Sequence, residues 1–358
     1  MGFVKSIFNA VADPRLFFTL AVVGLGLLIW KRERVASNAA AYGIFGFLTI
    51  FFIFGTFDPN FRLIVTKPDN VPIVGLIFLL VFFVWYSIRE AVLNDRRIAE
   101  GRGPVEKAES DRVWVWPDLV YTELISLIVC SVILIVWSIF LKAPLEQPAN
   151  PSATPNPSKA PWYFLGLQEM LVYFDPWLAG VVLPGLIIVG LICIPYVDKN
   201  PKGNGYYTFK ERKAEITIFL FGFAVLWVSL IVLGTFLRGP NWNFFGPFEF
   251  WDIHKLEALT NVNLSEYVWV RLLRTGMPSF WLIRELPGIV FVLFYVFALP
   301  VLLAKTLFKS YYSKLGAPRY YVSVFLFLSM MSLPLKMLSR WLFNLKYVVN
   351  IGEFFFNI

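Results

Sequence analysis

Eight stretches of this chain stay apolar over roughly the 20 residues that a helix needs to cross the hydrocarbon of a bilayer. They lie at about residues 14–30, 39–57, 71–88, 118–141, 176–196, 215–237, 287–308 and 319–338. The membrane core offers no water to backbone amides and carbonyls, so each stretch must satisfy its own polar groups, which a helix does. The expected fold is therefore all-α, a polytopic transmembrane helical protein of about eight helices. Composition agrees, since 58% hydrophobic and 16% charged residues leave too few polar side chains to coat a soluble domain of 358 residues. The first run is the weakest, because its continuous apolar part, Leu16 to Trp30, is short. Its entry is well built: Asp13 can cap the helix and Pro14 fits the first turn, and Asp175-Pro176 repeats the device before the fifth run. A cleaved signal peptide is the rival reading of the first run. It fits poorly, because the basic cluster Lys31, Arg32 and Arg34 follows the apolar stretch instead of preceding it.

Basic residues set the expected orientation. The connections after runs one, three, five and seven, from Lys31 to Arg34, Arg89 to Arg112, Lys199 to Lys213 and Lys305 to Arg319, hold 18 of the 32 Lys and Arg. The positive-inside rule places these connections in the cytoplasm and both termini outside. The long segments between runs four and five and between six and seven then face outward. The net charge of +8 calls for no nucleic acid, because such loops lie where anionic lipid headgroups attract them.

Cysteine and histidine limit the chemistry. Cys130 and Cys193 fall in separate apolar runs, with neither Cys-x-x-Cys-His nor zinc spacing, and read as buried, unreactive thiols. The single histidine, His254, reads as a surface or interface residue. A bis-histidine haem takes two ligands and a pair of haems takes four, so this chain alone cannot hold such a set, and no metal site is expected.

Four parts follow along the chain: residues 1–92 as an N-terminal three-helix membrane extension, 93–112 as a cytoplasmic linker, 113–240 as a three-helix core with an elaborate outer loop, and 241–358 as an extracytoplasmic segment plus two C-terminal membrane helices. The outer loop of the core runs from Ala143 through prolines 144, 148, 151, 155 and 157, which fix backbone angles and remove donors, giving an extended lead-in. It enters Trp162 to Phe174, where Trp162, Leu165, Gln168 and Glu169 recur at helical spacing, as in a short interfacial helix. Anchoring of Trp162 and Tyr163 in the aromatic belt is the plain reading of this stretch. Aromatic and basic residues interleave from Trp251 to Leu286, a segment suited to lie along the outer surface.

Several pieces, in order, resemble subunit IV of the cytochrome b6f complex and the C-terminal half of cytochrome b in bc-type quinol:cytochrome c oxidoreductases. They are Trp116-Pro117-Asp118-Leu119-Val120-Tyr121, the proline-rich Gln147 to Pro157, Pro161-Trp162-Tyr163-Phe164, the helix end Ile194-Pro195-Tyr196, and the basic loop feeding the helix from Ala214 to Leu237. The resemblance covers about residues 113–240 and makes that part a cytochrome b C-terminal, subunit IV-like domain. It implies a membrane subunit of a split-cytochrome-b complex that contributes to quinol oxidation on the extracytoplasmic side. The expected cofactor is a quinol/quinone of menaquinone or ubiquinone type. The b haems are expected on a partner, the haem-bearing N-terminal cytochrome b subunit. The other implied partners are a Rieske iron-sulfur protein, cytochrome c and lipid, within a dimeric multisubunit complex of the bacterial inner (cytoplasmic) membrane.

One departure from the family pattern stands out. The family has an acidic residue between its proline and tryptophan, thought to take a proton from the quinol, whereas here Pro161 abuts Trp162. Oxidising a hydroquinol releases two protons, so a positioned base is needed nearby. Glu169 is the nearest carboxylate downstream, nearly two turns beyond Trp162 on a similar face, and is the expected replacement. By resemblance Tyr163 orients the ring, and Pro161, Trp162, Tyr163, Phe164 and Leu167 form the quinol-binding set. A non-catalytic quinone-binding or scaffold subunit of another redox complex is one alternative. A transporter is another, which mid-membrane ionisable residues or inverted repeats would favour and the apolar runs here scarcely offer.

Overall fold

The computed structural model describes residues 2–108, 113–141, 148–152, 154–201 and 205–358. Arg112 and Lys202 of the basic connections, and residues 142–147 and 153 of the proline-rich loop, lie outside the described residues. Among the described residues, seven helices are long and apolar enough to span a membrane: Asn38–Gly55, Val71–Ala99, Val115–Phe140, Leu178–Val197, Lys213–Leu237, Leu286–Lys305 and Ala317–Phe343. The weak first run forms the 17-residue helix Pro14–Trp30, joined at a bend of 78° to a helix Gly2–Val11, and this pair makes an eighth span if counted as one. The protein is an all-α, multi-pass membrane protein. Two-residue strands Asn350–Ile351 and Phe356–Asn357 form its one small hairpin among the described residues.

Start signals behave as their chemistry demands. The Asp13 carboxylate accepts from the Arg15 amide at 3.0 Å with Pro14 in the first turn, and Ser37 Oγ accepts from the Ala40 amide at 3.2 Å. Each supplies a partner to an amide that the first turn leaves bare. The third run extends well past its apolar residues, because the helix Val71–Ala99 continues through Arg89, Arg96 and Arg97. Hydropathy ends where the hydrocarbon ends, and the helix does not.

The chain divides into two compact units. The first comprises residues 1–158, 204–225 and 235–255. Ile88, Ala91 and Val92 of the Val71–Ala99 helix pack there with Phe209, Ile216 and Leu220, flanked by Leu25, Leu28 and Ile29. Just beyond this core lies a fully buried polar lock. The Asn94 amide donates to the Glu106 carboxylate and the Tyr207 carbonyl, while its side-chain oxygen accepts from the Val105 amide. Asp95 accepts from the Lys210 amide at 3.1 Å. Buried polar groups persist only when hydrogen-bonded, so these partners fix both loops. The Val115–Phe140 span belongs to the same unit and has no buried side chain. Cys130 lies on it and is exposed, and Cys193 is only half-buried. The expectation of two buried thiols is corrected: both sit on helices whose surface this chain leaves largely uncovered.

At the other end of this unit Asp58 caps Pro59–Val65, accepting from the Asn60 and Phe61 amides at 2.8 and 3.0 Å, and pairs with Lys5. Phe61 stacks on Phe248 at 5.0 Å, and the Phe248 amide donates to Asn9 at 2.9 Å.

The second unit comprises residues 159–203, 226–234 and 256–358. Leu178–Val197 packs along Ala317–Phe343, with Gly190 admitting the Leu326 methyls to within 3.8 Å of where its Cβ would stand. Arg319 Nε donates to the Tyr196 carbonyl at 2.8 Å, closing the end of the pair. The last two spans join over Ala304, Tyr320, Val324 and Leu328, with Tyr320 donating to Pro300 O and Tyr295 to Leu328 O.

The Asp58 knot makes the first prediction. Burial opposes ionisation, but the Lys5 ammonium and the two capping amides outweigh it and hold the carboxyl below the ordinary value of 3.8. A lowered folded pKa gives stability that is present above pH 3.8 and is lost as pH falls through the folded value. Thermal unfolding in detergent should therefore show a drop in melting temperature below about pH 4 that Asp58→Asn reduces, since Asn keeps the cap and loses the ion pair.

Candidate functional site

The segment that carries the sequence signature folds as a nine-residue helix, Trp162–Met170, followed by turns to Phe174. Pro161 is its N-cap residue, with φ −52° and ψ 147°. The Ala160 amide donates to the Gln168 side-chain oxygen at 2.8 Å, so the chain entering the helix is tied to its last turn. Leu165, Gly166, Glu169 and Met170 are its buried residues, one face at helical spacing.

That face lies against the Val228–Val232 stretch of the Lys213–Leu237 helix. Two glycines permit the approach. A Cβ on Gly166 would stand 3.3 Å from Ile231 Cγ1, and one on Gly234 would stand 3.3 Å from the Leu165 carbonyl oxygen. Hydrogen bonding in the longer helix widens to the π pattern over Phe221–Trp227 and Leu233–Leu237, on either side of the contact.

Two faces therefore divide the residues expected to form the site. Glu169 is fully buried at 0% exposure, and Trp162, on the same side, is half-buried. Tyr163 and Phe164 are 51% and 50% exposed, Leu167 between them is half-buried, and Pro161 is exposed. The aromatic rings run in sequence, with Trp162 and Tyr163 edge to face at 5.7 Å and Tyr163 and Phe164 at 4.7 Å. Tyr163, Phe164 and Leu167 form one outward apolar face, and Glu169 stands behind the helix from it. The structure thus brings Trp162 and Glu169 to one side and does not bring Tyr163 and Glu169 together.

Beyond the helix, Tyr173 and Phe174 are buried and anchor its exit, Tyr173 lying edge-on to Trp341 at 6.1 Å. Asp175 opens the next helix as expected, its backbone carbonyl accepting from the Leu178 and Ala179 amides at 3.0 Å, but its carboxylate does not cap it. Its carboxylate accepts from Tyr347 Oη and Asn357 Nδ2, each at 3.3 Å. Burial, and then the Asp175 carboxylate, push the Tyr347 phenol up, so it keeps its proton and remains a donor. Gly166, Gly234 and this tail contact escaped the sequence reading. A glycine amid bulky residues at 166 was the available signal for the first; partners some 170 residues away give none.

His254 is exposed, and among the described residues no group of three or more His, Cys, Asp and Glu is placed to hold a metal. A cleft of about 510 Å³ lined by Asn263, Met277, Arg284 and Glu353, among others, includes none of the residues expected to form the site.

The fold defines a polytopic membrane protein. Residues 148–247 match the family model described as cytochrome b (C-terminal)/b6/petD. The matched residues include the site helix, Ile194-Pro195-Tyr196 and the Lys213–Leu237 helix, and exclude Trp116 to Tyr121. The chain is also 26% identical over 242 residues to cytochrome b of Allochromatium vinosum, an alignment covering 63% of this chain and 54% of that protein. It thus spans about half the length of the curated relative it matches. No solved structure matches the chain. The resemblance to the C-terminal half of cytochrome b, read from Pro161 to Phe164 and its neighbours, is borne out.

The glycine contact yields a prediction. Gly234→Val places methyl groups against a backbone carbonyl that cannot swing aside, and such overpacking costs typically about 1–3 kcal/mol. Limited proteolysis or hydrogen exchange should show the Trp162–Met170 segment loosened in Gly234→Val, with the Asn94 lock still protected.

Proposed function

We propose that this chain is the subunit IV-like half of a split cytochrome b in a bc-type quinol:cytochrome c oxidoreductase, and that its site helix forms part of the quinol oxidation site on the extracytoplasmic side. The observation that carries the reading is the coincidence of three features on residues 161–170: the family match, an outward apolar face of Tyr163, Phe164 and Leu167, and a fully buried carboxylate at Glu169 behind it. A quinol ring is flat and apolar with two hydroxyls, and a partly exposed aromatic face suits it.

Oxidation removes two electrons and two protons. In this reading the electrons divide between a Rieske iron-sulfur protein and the b haems of a haem-bearing partner subunit, and cytochrome c is the eventual acceptor. Two bis-histidine haems take four ligands, and this chain has one histidine, so they belong to the partner. The Val115–Phe140 span, which the chain nowhere buries, gives that partner a helix to pack on. Protons leave on the outer side. A helix with its side chains is about 10 Å across, so we assign Glu169 to a relay reached around the helix from the ring instead of a direct bond to it. Tyr163, on the ring side, orients the substrate. The quinone is of menaquinone or ubiquinone type, and the complex is a dimer in the bacterial inner membrane.

The test is turnover in the assembled complex. Glu169→Gln should slow quinol oxidation by about 100-fold, the size of effect typical for loss of a positioned proton acceptor. Tyr163→Phe should cost about tenfold or less, as expected for one orienting hydrogen bond. Near-normal turnover in assembled Glu169→Gln would withdraw Glu169 from the relay.

Orientation is checked separately. A cysteine at Asn156 should react with a membrane-impermeant reagent on intact cells, and one at Asn200 should react only after lysis, as the basic-residue asymmetry requires. The reverse pattern would invert the topology and move the site to the cytoplasmic side.

A further inference from the structure

The C-terminal residues lie outside the family match, yet they close onto the turn that ends the site helix. The tail from Leu345 folds back as a hairpin: Val348 N donates to Ile358 O at 2.6 Å, Ile358 N to Val349 O at 2.9 Å, and Asn350 and Ile351 pair with Asn357 and Phe356. Its base is fixed twice. The buried Glu285 carboxylate accepts from the Asn350 amide at 3.0 Å, and Gly288 lets the Val348 carbonyl approach so closely that a Cβ there would fall 2.0 Å from the oxygen. The hairpin is therefore held to the start of the Leu286–Lys305 helix.

Its free edge meets residues 175–177. The Trp177 indole N–H donates to the Asn357 carbonyl at 3.0 Å, and Phe356 stacks on the Trp177 ring at 5.2 Å and 29°. Asp175 accepts from Asn357 Nδ2 and from Tyr347 Oη. On the Ala317–Phe343 helix, Lys336 is buried, donates to Lys346 O at 2.8 Å, and lies 5.6 Å from the Phe174 ring. The stretch from Tyr173 to Trp177 that leaves the site helix is thus gripped by residues 336–357.

We propose that the C-terminal hairpin is a positioning element for the quinol site, with Asn357 and Tyr347 acting through Asp175 to hold the exit of the Trp162–Met170 helix. This rests on the quinol reading above. Nine residues are marginal as a helix by themselves, so packing on the Val228–Val232 stretch and the anchored exit together set where Tyr163 and Phe164 stand. The two C-terminal helices, which carry the hairpin, then serve the site through it.

The experiment compares Asp175→Asn with Asp175→Leu in the assembled complex, with steady-state oxidation of a short-chain quinol as readout. Asn keeps an acceptor for both donors and should leave KM and kcat as in wild type. Leu should raise KM about fivefold, the size expected for loss of one or two hydrogen bonds that orient the site. Wild-type KM and kcat in assembled Asp175→Leu would overturn the proposal. Should that variant not assemble, hydrogen exchange in Asn357→Leu and Trp177→Phe decides: faster exchange across residues 167–174 supports the brace, and unchanged protection overturns it. A wild-type complex that oxidises no quinol would overturn the quinol reading, and the exchange result alone would then decide whether the brace exists.

Discussion

The candidate site depends on the close approach of a nine-residue helix to a membrane-spanning one. Gly166 and Gly234 remove the Cβ atoms that would hold the two backbones apart, and the Leu165 carbonyl sits in the space left by Gly234. Short helices are marginal by themselves, and packing supplies what length does not. With one face committed to the Lys213–Leu237 helix, the opposite face must look outward. That geometry exposes Tyr163 and Phe164 and buries Glu169 in the same act.

Glu169 is fully buried on the face of the site helix opposite Tyr163 and Phe164. It stands within the segment that matches the C-terminal part of cytochrome b, where Pro161 abuts Trp162 and Glu169 is the next carboxylate downstream. The tail hairpin holds the exit of the helix through Asp175 and Trp177.

Most of the membrane architecture was legible because hydrocarbon imposes a length and an absence of charge that a sequence cannot disguise. The seven spans lie where the apolar runs predicted, and the weak first run is the one that forms a 17-residue helix, bent by 78° from the helix before it. The site helix was legible from the spacing of Trp162, Leu165 and Glu169. Which face it buries was not, because that depends on Gly234, far along the chain, and on the space it leaves. Asp175 illustrates the same limit: an Asp-Pro pair reads as a cap, yet its carboxylate turns to Tyr347 and Asn357, residues no local pattern connects to it. The Asn94 lock was hidden likewise, since the linker and the Tyr207 loop meet only in three dimensions. Cys130 reads as buried because its neighbours are apolar, and is exposed because this chain brings nothing to cover them.

The most direct test of the account is to purify the native assembly through this chain, identify the subunits that accompany it, and record its haem spectrum beside that of the chain isolated alone. The account predicts b-type haem in the assembly, a separate haem-bearing membrane subunit in stoichiometric amount, reduction of that haem by quinol, and no haem on the isolated chain. An assembly without b-type haem, or a stoichiometric haem retained by this chain alone, would contradict it.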